Sequence, residues 1–183
     1  MESLVKLLGL FLVMTFGMLA GCSSMASKSP DVTDSIRRSL DQASLNDVTV
    51  KQDRDKGVVT LGGHVKSDAD KSQAEAIAKS NAGSQVVADE IAVVPPGLER
   101  EARAVNSDLD KGIDKNLDAA FIKAGLNKDI KYDVKNGVVT LTGSVNSQTK
   151  KAKAEAVASK VPNVQQVVNE LEVKTPKATA TTN

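Results

Sequence analysis

Gly57-Val58-Val59-Thr60-Leu61-Gly62-Gly63-His64-Val65 returns 80 positions later as Gly137-Val138-Val139-Thr140-Leu141-Thr142-Gly143-Ser144-Val145. The register then holds without a gap as far as Val93 opposite Val173, with Ser67, Lys71, Ala74, Glu75, Ala76, Ala78, Gln85, Val87 and Glu90 all recurring. Such a match means duplication. Two repeats are too few to stack as a solenoid, so the copies are two domains. Upstream, Ile36 and Leu40 align with Ile113 and Leu117 at an offset of 77, which places about three inserted residues before the strands of the second copy.

Each copy reads as helix, strand, strand, helix, strand. The opening helix carries Val32, Ile36, Leu40 and Ala43 on one face in the first copy. In the second, Leu109, Ile113, Leu117, Ala120, Phe121 and Ala124 do the same, with Gly125 as C-cap. A short alternating strand follows (Val48 and Val50; Ile130, Tyr132 and Val134), then a turn, Asp53 to Gly57 or the hairpin-favouring Asn136-Gly137. The quoted stretch is the next strand, and Gly63 and Gly143 on its core face suggest that a helix backbone passes close. Ser67 or Ser147 caps the second helix, which buries Ala74, Ile77 and Ala78, or Ala154, Val157, Ala158 and Val161. The last strand carries Val87, Ile91 and Val93, or Val167, Leu171 and Val173. The fold class is therefore α+β: two tandem αββαβ units, each a three-stranded mixed sheet with two helices on one face. Domains this small are marginal alone, so the two are expected to pack together.

The domain reading is residues 31–94 and 105–174, separated by a linker over 95–104 that opens with Val94-Pro95-Pro96-Gly97. Residues 175–183 lack apolar periodicity and read as a disordered tail. At the other end, an apolar run from Leu7 to Leu19 is shorter than the roughly 20 residues of a spanning helix and has the flanks of a signal peptide. It closes in Leu19-Ala20-Gly21-Cys22, which resembles a bacterial lipobox. That resemblance implies a signal peptide over residues 1–21, lipidation of Cys22 and a tether over 22–30 that holds the first domain near a bilayer. Ser23 after the Cys resembles the outer-membrane sorting pattern of Gram-negative lipoproteins.

Composition excludes several functions. Lys plus Arg is 24 against 23 for Asp plus Glu, so no global basic field exists to hold nucleic acid, and aromatics at 2% leave no base-stacking platform. One Cys and one His build neither a disulfide nor a multi-His metal site. His64 falls on the solvent side of its strand and its counterpart is Ser144, which argues against a catalytic role. Gly62-Gly63 lies inside a strand and Asp68 with Asp70 decorates a helix start. No enzyme and no cofactor are expected.

In the second copy, Gly137-x-Val139-x-Leu141-x-Gly143-x-Val145, a helix, then Val164-x-x-Val167-x-Asn169-x-Leu171-x-Val173 resembles the BON domain (bacterial OsmY and nodulation). The first copy departs at Ser84 and Asp89, where the second has Val164 and Asn169, and resembles a more degenerate member. A lipobox followed by two such domains is similar to the dual-BON outer-membrane lipoproteins. The resemblance implies a periplasmic, non-enzymatic protein on the outer membrane, binding anionic phospholipid and supporting envelope integrity or the osmotic stress response. It also implies lipid contact through the opening helix of the second domain.

Charge points to the same copy. Residues 31–95 hold 8 basic and 11 acidic side chains; residues 108–174 hold 11 and 9, so only the second copy favours an anionic surface. Two patches there are candidates. Phe121-Ile122-Lys123 cannot bury both apolar side chains equally, so one projects beside Lys123, as in interfacial helices. The alternative is that Phe121 fills the core and Ile122 meets the first domain. Lys150, Lys151 and Lys153 stand at a helix start, where free N–H groups and ammonium groups suit a phosphate; the alternative is a solvated basic face. The competing function is a protein-interaction adaptor or chaperone-like stress protein, meeting another envelope protein through the open sheet face at Val138, Thr140 and Thr142 or through the Lys-rich helix.

Overall fold

A computed structural model describes residues 28–174. The signal peptide, Cys22, all but the last residues of the tether, and the tail 175–183 lie outside the described residues. The first copy runs α1 (Thr33–Gln42), β1 (Val48–Asp53), β2 (Val58–Val65), α2 (Asp68–Ala82), β3 (Val86–Asp89) and β4 (Ala92–Val93). The second runs α3 (Glu99–Ala124), β5 (Ile130–Lys135), β6 (Val138–Val145), α4 (Gln148–Ala158), β7 (Gln166–Asn169) and β8 (Glu172–Val173). In each copy the central strand pairs antiparallel with the one before it and parallel with the last, which is the mixed sheet expected. The last strand is broken in both, so β4 and β8 pair with β2 and β6 beyond the break.

The break has a chemical cause that repeats. The side-chain oxygen of Asp89 accepts from the Ile91 N–H (3.1 Å) and that of Asn169 from the Leu171 N–H (3.3 Å), in place of a ladder bond. Lys71 and Lys151 donate to the freed carbonyls of Ile91 (3.0 Å) and Leu171 (2.7 Å). Opposite the break stand Gly63 (φ +85°) and Gly143 (φ +118°). A Cβ on either would lie 2.0 Å from the Asp47 carbonyl oxygen or 2.6 Å from that of Asp129. The close backbone is therefore the lead-in to the neighbouring strand and not a helix, a correction to the expectation from sequence. Only glycine fits both the left-handed conformation and the space.

The helices lie on one face and bury the alternating residues of the central strand: Val59, Leu61 and Val65 against Ile36, Leu40, Ala74 and Ala78, and Val139, Leu141 and Val145 against Ile113, Leu117, Phe121, Ala154 and Ala158. Ser67 and Ser147 cap α2 and α4 as expected, accepting from the N–H of Asp70 and Lys150, each at 3.2 Å. The alignment of the opening helices is corrected by their C-termini. Ser44 (φ 61°) and Gly125 (φ 68°) close the two helices in the same left-handed conformation. Leu45 then bonds back to the Leu40 carbonyl, and Leu126 to that of Phe121, each at 2.9 Å. Leu40 thus corresponds to Phe121 and Ile36 to Leu117, an offset of 81 rather than 77. The strands β1 and β5 stand 82 apart (Val48 and Ile130 face Gly63 and Gly143). The second hairpin is two residues shorter, which returns the offset to 80. The sequence match at Ile113 slipped by one helical turn, where Leu and Ile recur at the same spacing.

The helix α3 extends back to Glu99, through much of the stretch read as linker. Glu99 and Glu101 in its first turn suit the positive end of the helix dipole, and the Glu99 carboxylate accepts from the Gly97 N–H at 2.9 Å. These backbone bonds hold Glu99 below the usual carboxylate range. Leu109 is 45% exposed, so contact with the core begins at Ile113 and not at Leu109.

The copies pack on each other with quasi-twofold symmetry. Val58 and Ala88 meet Val138 and Val168, each pair the counterpart of the other, in a small third core. Glu90 pairs with Lys135 (2.9 Å), and Glu170 with Lys56 (2.7 Å), which raises the Lys56 pKa chiefly through that hydrogen bond. The Gln166 side chain spans the seam, donating to the Val87 carbonyl (2.6 Å) and accepting from the Asp89 N–H (3.0 Å). Val138 is accordingly 2% exposed and is no part of an open sheet face, which corrects the surface offered to an adaptor.

Candidate functional site

Phe121 and Ile122 part company at the C-terminal end of α3. Phe121 is 1% exposed, with its ring 5.5 Å from that of Tyr132. It is a core residue, and its place among lipid-contacting candidates is withdrawn. Tyr132 in turn reaches the Asp114 carbonyl with its hydroxyl (3.4 Å); burial, then Asp114 and Asp118, push its pKa up. Ile122 is 56% exposed and belongs to neither domain's core. Lys123 is exposed beside it. The helix period forces this: one turn on from Leu117, Phe121 occupies the inward direction and Ile122 is turned about 100° away.

The second candidate patch is tied into the fold. The Lys150 ammonium pairs with Asp129. Lys151 is spent on the Leu171 carbonyl, and Lys153 donates to the Ala124 carbonyl at 3.0 Å, satisfying the end of α3. All three lysines bind this protein's own oxygens, and the Lys150 N–H is held by the Ser147 cap. Each ammonium keeps two further donors, so these bonds leave the phosphate reading at the start of α4 open, and Lys153 stays exposed.

What the sequence reading missed lies between the same two helices. A groove of about 550 Å³ runs between the last turn of α3 and the end of α4, floored by Ala120, Ala124, Val157 and Val161 and rimmed by Lys123 and Lys160. Neither lysine pairs with a carboxylate among the described residues. Pro162 opens it. In the first copy α2 continues to Ala82. At the equivalent Pro162 there is no N–H for the next helical bond, and α4 stops at Ala158. The signal for the groove was present in the repeat itself. Where the first copy has Ser39, Gln42, Ser80 and Asn81, the second has Ala120, Lys123, Lys160 and Val161. The slipped helix alignment hid half of those pairs.

His64 is exposed, and no hydrogen bond or ion pair engages its ring among the described residues. No group of three or more His, Cys, Asp or Glu among the described residues is placed to hold a metal, and no described helix is long and apolar enough to cross a membrane.

The two copies each match one protein family, the BON domain, over residues 29–95 and 109–175. The chain belongs to the BON domain family, with two BON domains in tandem. It is similar to osmotically-inducible protein Y of Escherichia coli (strain K12), 30% identical over 136 residues, which is 73% of this chain. The chain spans 65% of that relative's length. Two solved structures of CdsD, a structural protein of the type III secretion system of Chlamydia trachomatis, one of them its C-terminal domain, align over 81% of this chain at 15% identity. They cover 94% and 100% of those chains, with TM-scores of 0.36 and 0.34.

Proposed function

We propose that this is a non-enzymatic envelope lipoprotein, held in the periplasm by lipid on Cys22 and sorted to the outer membrane. Its second BON domain rests on anionic phospholipid, and it serves envelope integrity or the response to osmotic stress. The observation that carries the reading is the exposed Ile122 beside Lys123, which has no carboxylate partner among the described residues, where the first domain has Asp41 and Gln42. An apolar tip flanked by an ammonium suits the headgroup layer; Asp41 in the same place is repelled by it. The likeness to an osmotically inducible protein supports the stress role. The test is co-sedimentation of residues 28–174, which contain both cores, with phosphatidylglycerol or phosphatidylcholine vesicles. Binding to the anionic vesicles alone, lost in Ile122→Asp, is expected. Binding that survives Ile122→Asp would remove this surface from the account.

A second reading, an adaptor for another envelope protein, draws on a different surface. Leu98, Val105 and Leu109 are 52%, 58% and 45% exposed, and Val105 and Leu109 share a face of the overhanging half of α3. Failure to bind any vesicle, with loss of a purified envelope partner on Val105→Ser/Leu109→Ser, would favour it.

A further inference from the structure

The groove between α3 and α4 of the second BON domain differs in kind from the same cleft in the first. In the first domain it is polar and closed on itself. Ser35 donates to the Asn81 side chain (2.8 Å), Ser39 to the Ser35 carbonyl (3.1 Å), and Asn81 and Ser80 both to the Ile77 carbonyl (2.8 Å). Nothing there is left to offer an apolar ligand. In the second domain the counterparts are Asn116, Ala120, Val161 and Lys160. The hydroxyls are gone from the floor, and two ammonium groups without carboxylate partners stand at the rim.

We propose that this groove takes in one acyl chain of an anionic membrane phospholipid, with the lipid phosphate held by Lys123 and Lys160. The inference rests on the membrane reading above and goes further than it. That reading needs only the tip of Ile122 in the headgroup layer, whereas here a single lipid leaves its neighbours and lies along the protein. Three features select this occupant. Ala120, Ala124, Val157 and Val161 make an apolar floor, with Asn116 the one uncharged polar side chain beside it, which favours an acyl chain over a polar head. The rim is cationic at both helices, which favours one negative charge at the mouth. The volume, about 550 Å³, lies within the range of small-ligand sites. Ile122 is one residue from Lys123, so the mouth opens where the domain would meet the bilayer.

The test uses the full-length protein in phosphatidylcholine bicelles containing phosphatidylglycerol, with nitroxide either at the headgroup or at the end of the acyl chain, read by methyl NMR. The Val157 and Val161 methyl signals are expected to be lost more with the chain-end label than with the headgroup label, and Ile122 more with the headgroup label. Ala120→Ser/Lys160→Ser, which installs the first domain's side chains at exposed or half-exposed positions and leaves Lys123 in place, should restore the Val157 and Val161 signals. Ile122 should stay broadened. Unchanged Val157 and Val161 methyls beside a broadened Ile122 would overturn the groove proposal while leaving the membrane reading intact. An unaffected Ile122 would overturn both. Groove signals still lost in the double variant would also overturn the proposal, because the floor and rim that distinguish the two domains would then select nothing. Lys160→Ser alone repeats the test at one exposed residue should the double variant fold poorly.

Discussion

The two BON domains share a sheet, a pair of helices, a glycine that admits a neighbouring carbonyl and a lysine that closes a broken strand. They differ where those helices end. Copies that keep every element of the frame and yet exchange Asp41 for Ile122, Ser39 for Ala120 and Ser80 for Lys160 show where the frame is indifferent to side chains. All three positions are exposed or half-exposed, so folding places little constraint on them. The first domain has the polar solution that a solvated surface needs, and it sits on the N-terminal side, nearest the proposed anchor. The second has an apolar, cationic solution, which serves a soluble surface poorly. The duplication thus separates what the fold requires from what only one copy uses.

The largest effect expected from breaking this comparison is at Phe121. It occupies the place of Leu40, and Phe121→Ala should cost about 3–5 kcal/mol, measured by urea denaturation. The loss should appear as earlier unfolding of the second domain, with the first domain's transition shifted only through their shared seam.

The glycine devices come next. Gly63→Ala and Gly143→Ala should each cost about 3 kcal/mol, from left-handed strain and a backbone clash together. Gly63→Ala should be the worse, since its Cβ would meet a carbonyl oxygen at 2.0 Å against 2.6 Å in the second domain. Equal or negligible losses would mean that the loop before β1 or β5 gives way.

Much of this was legible in the sequence, and the failures are instructive. The repeat of Gly57–Val65 fixed two units of strand order and face, because alternation in a half-buried strand leaves no choice of register. The helix caps at Ser67 and Ser147 were equally plain. The helices were harder. A face of Leu and Ile repeats every three or four residues, so Ile113 and Leu117 matched Ile36 and Leu40 one turn out of place, and only the closing geometry at Ser44 and Gly125 settles the offset. The roles of Lys150, Lys151 and Lys153 were not legible, because their partners are a distant carboxylate and two carbonyls that no local pattern reveals. Nor could spacing tell that the overhanging start of α3 leaves Leu109 outside the core.

A third, smaller effect concerns a buried charge that the second domain has discarded. Asp89 is 7% exposed, and burial raises its pKa above the ordinary 3.8, opposed by Lys71 and the Ile91 N–H. Its folded form binds a proton more readily than its unfolded form. The stability it contributes is therefore full below its ordinary value and is lost as pH rises through the raised one. Asp89→Asn keeps an oxygen for the Ile91 N–H, as Asn169 does for Leu171. It should stabilise the protein at neutral pH and not at low pH, measured as denaturation midpoints across that window.

The smallest stability effect is expected at the proposed interface itself. Ile122→Ser should change folding stability by less than about 0.5 kcal/mol, as exposed substitutions generally do, while weakening vesicle binding. A large loss of stability would instead assign Ile122 to packing.

Exchanging the two helix ends tests the central claim most directly. One variant of residues 28–174 carries Ile122→Asp/Lys123→Gln, and a second adds Asp41→Ile/Gln42→Lys, with binding to phosphatidylglycerol vesicles measured by co-sedimentation. The first variant is expected to stop binding and the second to regain part of it through the first domain. Undiminished binding by the first variant would place the membrane contact elsewhere.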